Sequence, residues 1–121
     1  MPLSFAYDFA RKGYSVDILF LDMALLALTQ EGLKSLTVEG RHANKKPWLR
    51  QQLEAADAPP DVYEFLKIIK QSGQVRLKGC RDSAQILNVK SEELIPESEG
   101  LIDSTTFIEN AIKEGVHCMY F

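Results

Sequence analysis

The sequence predicts a single α/β domain, a three-layer α/β/α sandwich around a mostly parallel sheet. Three observations carry this expectation. Stretches with helical spacing alternate with short apolar stretches of strand character along the chain. The helical stretches carry end signals, with Asp61 ahead of one and Gly13, Gly32, Gly73 and Gly115 closing four. The run "SVDILFL" is rich in β-branched and large apolar residues, which suits a strand covered on both faces, as in parallel sheets. A length of 121 residues fits one domain over residues 1–121.

Taken in order, "PLSFAYDFARKGYS" reads as a helix with Leu3, Ala6 and Ala10 on one face and Phe5 and Phe9 beside it. A strand follows at Val16–Leu21, and then "DMALLALTQEGL" reads as one helix starting at Asp22 and ending near Gly32. From Lys34 to Pro60 the pattern weakens. "PWLRQQLEAADA" fits a short helix with Pro47 in its first position, and Pro59-Pro60 breaks it. "DVYEFLKIIKQSG" is the clearest helix. Asp61 caps it, Glu64 stands three residues on, and Val62, Phe65, Leu66 and Ile69 form one stripe. A strand at Val75–Gly79 leads into a short helix in which Ala84, Leu87 and Ile86 are the apolar candidates. A short strand is expected at Gly100–Ile102. A helix follows with Thr106 and Glu109 at capping-box spacing, and the last strand is expected at Val116–Phe121.

Composition narrows the function. An apolar fraction of 45% with 26% charged residues is that of a folded globular chain rather than a disordered one. The net charge of −3 gives no overall pull toward nucleic acid or an anionic membrane, so neither is an expected partner. The basic stretch "GRHANKK" (Gly40–Lys46) reads as a solvated loop. "VDILFLDMALLAL" is interrupted by Asp17 and Asp22 and is too short to span a bilayer. The N-terminus has no basic segment before an apolar run, so no signal peptide is expected. Two cysteines make no disulfide framework, and a reducing cytoplasm is the simplest setting.

The chemistry concentrates at "QVRLKGCRDSAQILNV", where strand alternation gives way to helical spacing at Cys80. A cysteine at a strand end, just before a helix, meets free backbone N–H groups and a partial positive charge, both of which favour the thiolate. Lys78 and Arg81 are close in sequence, Gly79 clears space beside the thiol, and Asp82 opposes with its negative charge. A lone cysteine at a strand end is more often a small buried apolar side chain. Cys118, inside "VHCMYF", reads as core. His42, His117, Cys80 and Cys118 lack paired ligand spacing, so no metal site is expected. The chain has neither a phosphate-loop nor a dinucleotide fingerprint, so no cofactor is expected.

Three segments, "PLSFAYDFARKGYSVDILF", "VRLKGCRDSAQILNVKSEELI" and "GLIDSTTFIENAIKEGV", together resemble the DsrE/DsrF-like family of sulfur-relay proteins, some of which carry a peroxiredoxin-like label. The resemblance covers most of the chain outside the stretch from about Leu36 to Pro60. It implies a small parallel α/β fold assembled into homo-oligomers. It also implies that Cys80 accepts sulfane sulfur as a persulfide and passes it between sulfur donor and acceptor proteins. Gly79, Arg81 and Ser83 are the expected supporting residues. Family members begin with a strand ahead of the first helix; that strand is missing from this sequence, and its loss is expected to leave a gap in the sheet or force a different pairing. Two functions stay open: a sulfur carrier or sulfurtransferase subunit working through Cys80, and a non-catalytic assembly subunit. Thiol peroxidase activity has less behind it, because Cys118 is not an evident resolving cysteine.

Overall fold

Among the described residues three parallel strands form the sheet, in the order β1 (Val16–Phe20), β2 (Val75–Cys80), β3 (Ser98–Ile102). The computed structural model describes residues 2–35, 44–57 and 61–116. The strand expected at Val116–Phe121 therefore lies outside the described residues from His117 onward, as do His42 and Cys118. Helix α1 (Pro2–Arg11) precedes β1. A 3-10 segment (Asp22–Leu28) follows it, and then come α2 (Gln30–Ser35), α3 (Lys46–Ala55) and α4 (Val62–Ser72). Helix α5 (Arg81–Ile86) leaves β2, a 3-10 turn (Ser91–Glu93) leads toward β3, and α6 (Ser104–Glu114) follows β3. The α/β class and the parallel sheet are as the alternation of elements predicts.

Side-chain alternation along the strands separates two faces. Val16, Ile18 and Phe20 of β1 and Val75 and Leu77 of β2 point into the core, where they meet Leu66 and Ile69 of α4 and Leu25 and Leu28 of the 3-10 segment. Ala6 and Ala10 of α1 join the same core, which confirms the small-residue face read from the sequence. The second face is polar. Asp17 and Arg76 stand opposite one another in register and form a two-pronged ion pair of 2.6 and 2.8 Å. Helix α6 reaches this face through Phe107, whose ring centroid lies 5.9 Å from the Lys78 ammonium.

Pairing of β1 with β2 is regular, but β2–β3 shifts register. Leu77 pairs with Ser98, whereas Gly79 pairs with Leu101, so β3 carries an extra residue. Gly100, at φ +93, supplies the backbone that this bulge requires. The Glu99 carboxylate repairs the interruption. Its Oε2 accepts the Leu77 N–H at 2.6 Å, and its Oε1 pairs with Lys70, which also donates to the Val75 carbonyl at 2.9 Å.

The structure corrects several expectations. The stretch "DMALLALTQEGL" is not one helix. Thr29 is extended (φ −107°, ψ 148°) and bridges to Leu94, while its Oγ1 accepts the Gly32 N–H at 2.9 Å and so caps α2. Helix α6 starts at Ser104, so Thr106 and Glu109 are not its capping pair. Asp103 is the N-cap, and its carboxylate is taken by Arg81 instead. Helix α3 begins at Lys46, one residue before Pro47. Ile86 is 81% exposed and is no part of the core, because the single exposed turn of α5 leaves only Ala84 and Ser83 facing inward. Asp61 does cap α4, accepting the Tyr63 N–H at 2.8 Å.

Replacing Glu99 with Ala leaves the Leu77 N–H without its acceptor in a part-buried setting, so we expect a stability loss of about 1–3 kcal/mol. Glu99→Gln keeps an acceptor oxygen and should cost clearly less. Urea unfolding of the two variants measures the difference.

Candidate functional site

The C-terminal ends of the three strands form one rim, the place where parallel α/β sheets gather functional groups. Phe20 of β1, Cys80 of β2 and Ile102 of β3 end side by side there, each followed by a turn into helix. Three of the four residues singled out from the sequence meet at this rim through their side chains, and Gly79 contributes by lacking one.

Gly79 is a packing position. A Cβ added there would stand 2.5 Å from Leu25 Cδ1 and 2.9 Å from Leu101 Cδ2, so only glycine lets these two leucines close over the strand. Cys80 follows as the N-cap of α5, with extended backbone (φ −74°, ψ 126°). Its residue surface is 3% exposed, so the thiol is buried rather than open to solvent. The reason lies in the fold. Among the described strands β2 is the central one, and its last residue pairs with Ile102 of β3.

Ser83 is the buried polar partner. Its Oγ accepts the Asp22 N–H at 2.8 Å, which ties the turn after β1 to α5. A hydroxyl that accepts one hydrogen bond still has its own proton to donate, and the Cys80 sulfur is its neighbour. Asp22 itself holds a left-handed backbone, φ 48°, uncommon for a residue with a side chain. Arg81 does not serve the thiol. Its guanidinium pairs with Asp103 at 2.9 Å, clamping the start of α5 to the start of α6 across an exposed surface.

Opposing influences act on the thiol. Burial is the largest and raises its pKa, and the Asp82 carboxylate raises it further. The Ser83 hydroxyl and the backbone N–H groups of Ser83 and Asp82 favour the thiolate and together outweigh both, so the value ends below that of an ordinary cysteine. The chemistry is that of a buried thiol whose anion is favoured by neutral donors. A folded-state pKa below the unfolded one stabilises the fold fully above the unfolded value, about 8.5. That contribution is lost as pH falls through the lowered folded value.

The sequence did not single out Asp22 as a partner of this rim, since a hydrogen bond spanning 61 positions leaves no local signal. Elsewhere, a concavity of about 430 Å³ lies at the opposite end of β2, lined by Ser15, Lys70, Gly73, Gln74, Val75 and Arg76. Its two cations are already committed, Lys70 to Glu99 and Arg76 to Asp17. Among the described residues, no three His, Cys, Asp or Glu side chains are grouped to hold a metal ion, and no helix is long and apolar enough to cross a membrane.

Ser83→Ala removes the hydroxyl donor from the sulfur and the acceptor from Asp22. The thiol pKa should therefore rise, and stability should fall by about 1–2 kcal/mol. The pH dependence of Cys80 alkylation, with unfolding measured in parallel, reads both effects.

No protein-family model matches the chain, and no curated protein matches it either.

Proposed function

We propose that this chain is a sulfur carrier or sulfurtransferase subunit of the DsrE/DsrF-like kind, relaying sulfane sulfur as a persulfide on Cys80. One feature supports the reading above others: Cys80 is buried as the N-cap of α5, where the Ser83 hydroxyl and the backbone N–H groups of Asp82 and Ser83 are donors that favour its thiolate. A core cysteine without a role has no need of such donors, and burial alone would raise its pKa.

In the transfer step the Cys80 thiolate attacks the outer sulfur of a donor persulfide. A new sulfur–sulfur bond forms at Cys80 while the donor's own sulfur–sulfur bond breaks. The breaking bond's electron pair leaves on the donor thiolate, which takes up a proton from solvent. One neutral sulfur atom has moved, and no external oxidant is consumed. The acceptor repeats the same exchange in the outward direction. Because the sulfur is enclosed, both partners must meet a form in which α5 has moved aside. That opening breaks the exposed Arg81–Asp103 ion pair and the hydrogen bond from the Asp22 N–H to Ser83. The working unit in this reading is a homo-oligomer in a reducing cytoplasm, acting between donor and acceptor proteins.

A second reading, the non-catalytic assembly subunit, draws on the 3% exposure of Cys80. Intact mass spectrometry after polysulfide or thiosulfate treatment separates the two. The carrier reading expects mass gained in whole sulfur atoms, reversed by a thiol reductant and absent in Cys80→Ser. A wild type that gains no mass while its folded Cys80 resists alkylation supports the assembly role and ends the carrier reading.

A further inference from the structure

Helix α6 presents an apolar line to solvent that the sulfur chemistry does not use. Ile108 is 53% exposed and Ile112 is 72% exposed, one helical turn apart, while Ala111 and Phe107 face the protein. Val116, 52% exposed, extends the line just past the helix. Its N–H bonds the Ala111 carbonyl and that of Gly115 bonds Ile112, the paired bonds that end a helix on a left-handed glycine. Beside this line run two charges of opposite sign, Glu109 and Lys113, also one turn apart and both exposed. Neither forms an ion pair among the described residues, although their spacing would let them pair with each other.

We propose that α6 is a self-association surface that docks against α6 of a second copy, antiparallel, about a two-fold axis level with residue 111. The positions of the charges carry the choice of partner. Glu109 lies two residues before that level and Lys113 two residues after it, each about 3 Å along the helix axis. A two-fold rotation therefore sets Glu109 of one protomer against Lys113 of the other, twice. The same rotation lays Ile108 and Ile112 of the two copies side by side. An isologous contact requires this self-complementarity, residue for residue, and an unrelated partner does not. Antiparallel helices also set their dipoles favourably. A single helix pair is a small interface, so the association is concentration-dependent rather than permanent. The inference is independent of whether Cys80 carries sulfur.

Sedimentation velocity of the full chain across the micromolar range tests it, with circular dichroism as the control for folding. The wild type is expected to pass from monomer to dimer as concentration rises. Ile112→Glu should remain monomeric at every concentration. Lys113→Glu should weaken association at least several-fold, and the double swap Glu109→Lys/Lys113→Glu should restore it, because each charge again meets its opposite. A wild type that stays monomeric overturns the proposal. So does an oligomer that survives Ile112→Glu, or a double swap that associates no better than Lys113→Glu alone; the charge variants, at exposed positions, keep the test decisive if Ile112→Glu fails to fold.

Discussion

Among the described strands only β2 has neighbours on both sides, and the core is arranged around it. Val75 and Leu77 are buried in the core, so the helices of that face, α1 and α4 among them, have one apolar seam on which to close. Burial removes water from the β2 backbone, so each of its polar groups needs a partner within the protein. The regular ladder to β1 meets that need on one side. On the other side the bulge in β3 interrupts the ladder, and Glu99 fills the gap with a side chain where a strand carbonyl is displaced. The Lys70 ammonium holds that carboxylate in place and binds the Val75 carbonyl as well, so one ion pair completes both the sheet and its junction with α4.

Cys80, at the end of β2, is enclosed, as is Phe20 beside it at the end of β1. The anion-stabilising groups around the sulfur are all neutral: one hydroxyl and two backbone N–H groups. The nearest cation in sequence, Arg81, is committed to Asp103 at the surface. Neutral donors hold a sulfur anion without introducing a second buried charge, which would carry its own desolvation cost.

Much of this was legible in the sequence because it is written locally. The strand of "SVDILFL", the cap at Asp61, the left-handed closure at Gly115 and the strand-to-helix change at Cys80 each depend on a few neighbouring residues. What escaped is long-range. Thr29 breaks the expected helix because it pairs with Leu94, 65 positions away by sequence number. Asp103 displaces the expected cap of α6, and its carboxylate answers to Arg81 rather than to its own helix. The depth of Cys80 likewise depends on how the strands come together, which is not a property of any one segment.

The hydrogen bond from the Asp22 N–H to Ser83 gives the rim a mechanical consequence. Asp22 sits in a left-handed conformation that is unfavourable for a side-chain-bearing residue, and the far end of its tether is on α5. Any movement of α5 that uncovers the sulfur must also release this amide, freeing the turn after β1 to relax. Exchange of the Asp22 amide proton with solvent therefore requires that its hydrogen bond to Ser83 be broken. Isotope exchange at that single amide reports how often the turn after β1 lets go of α5.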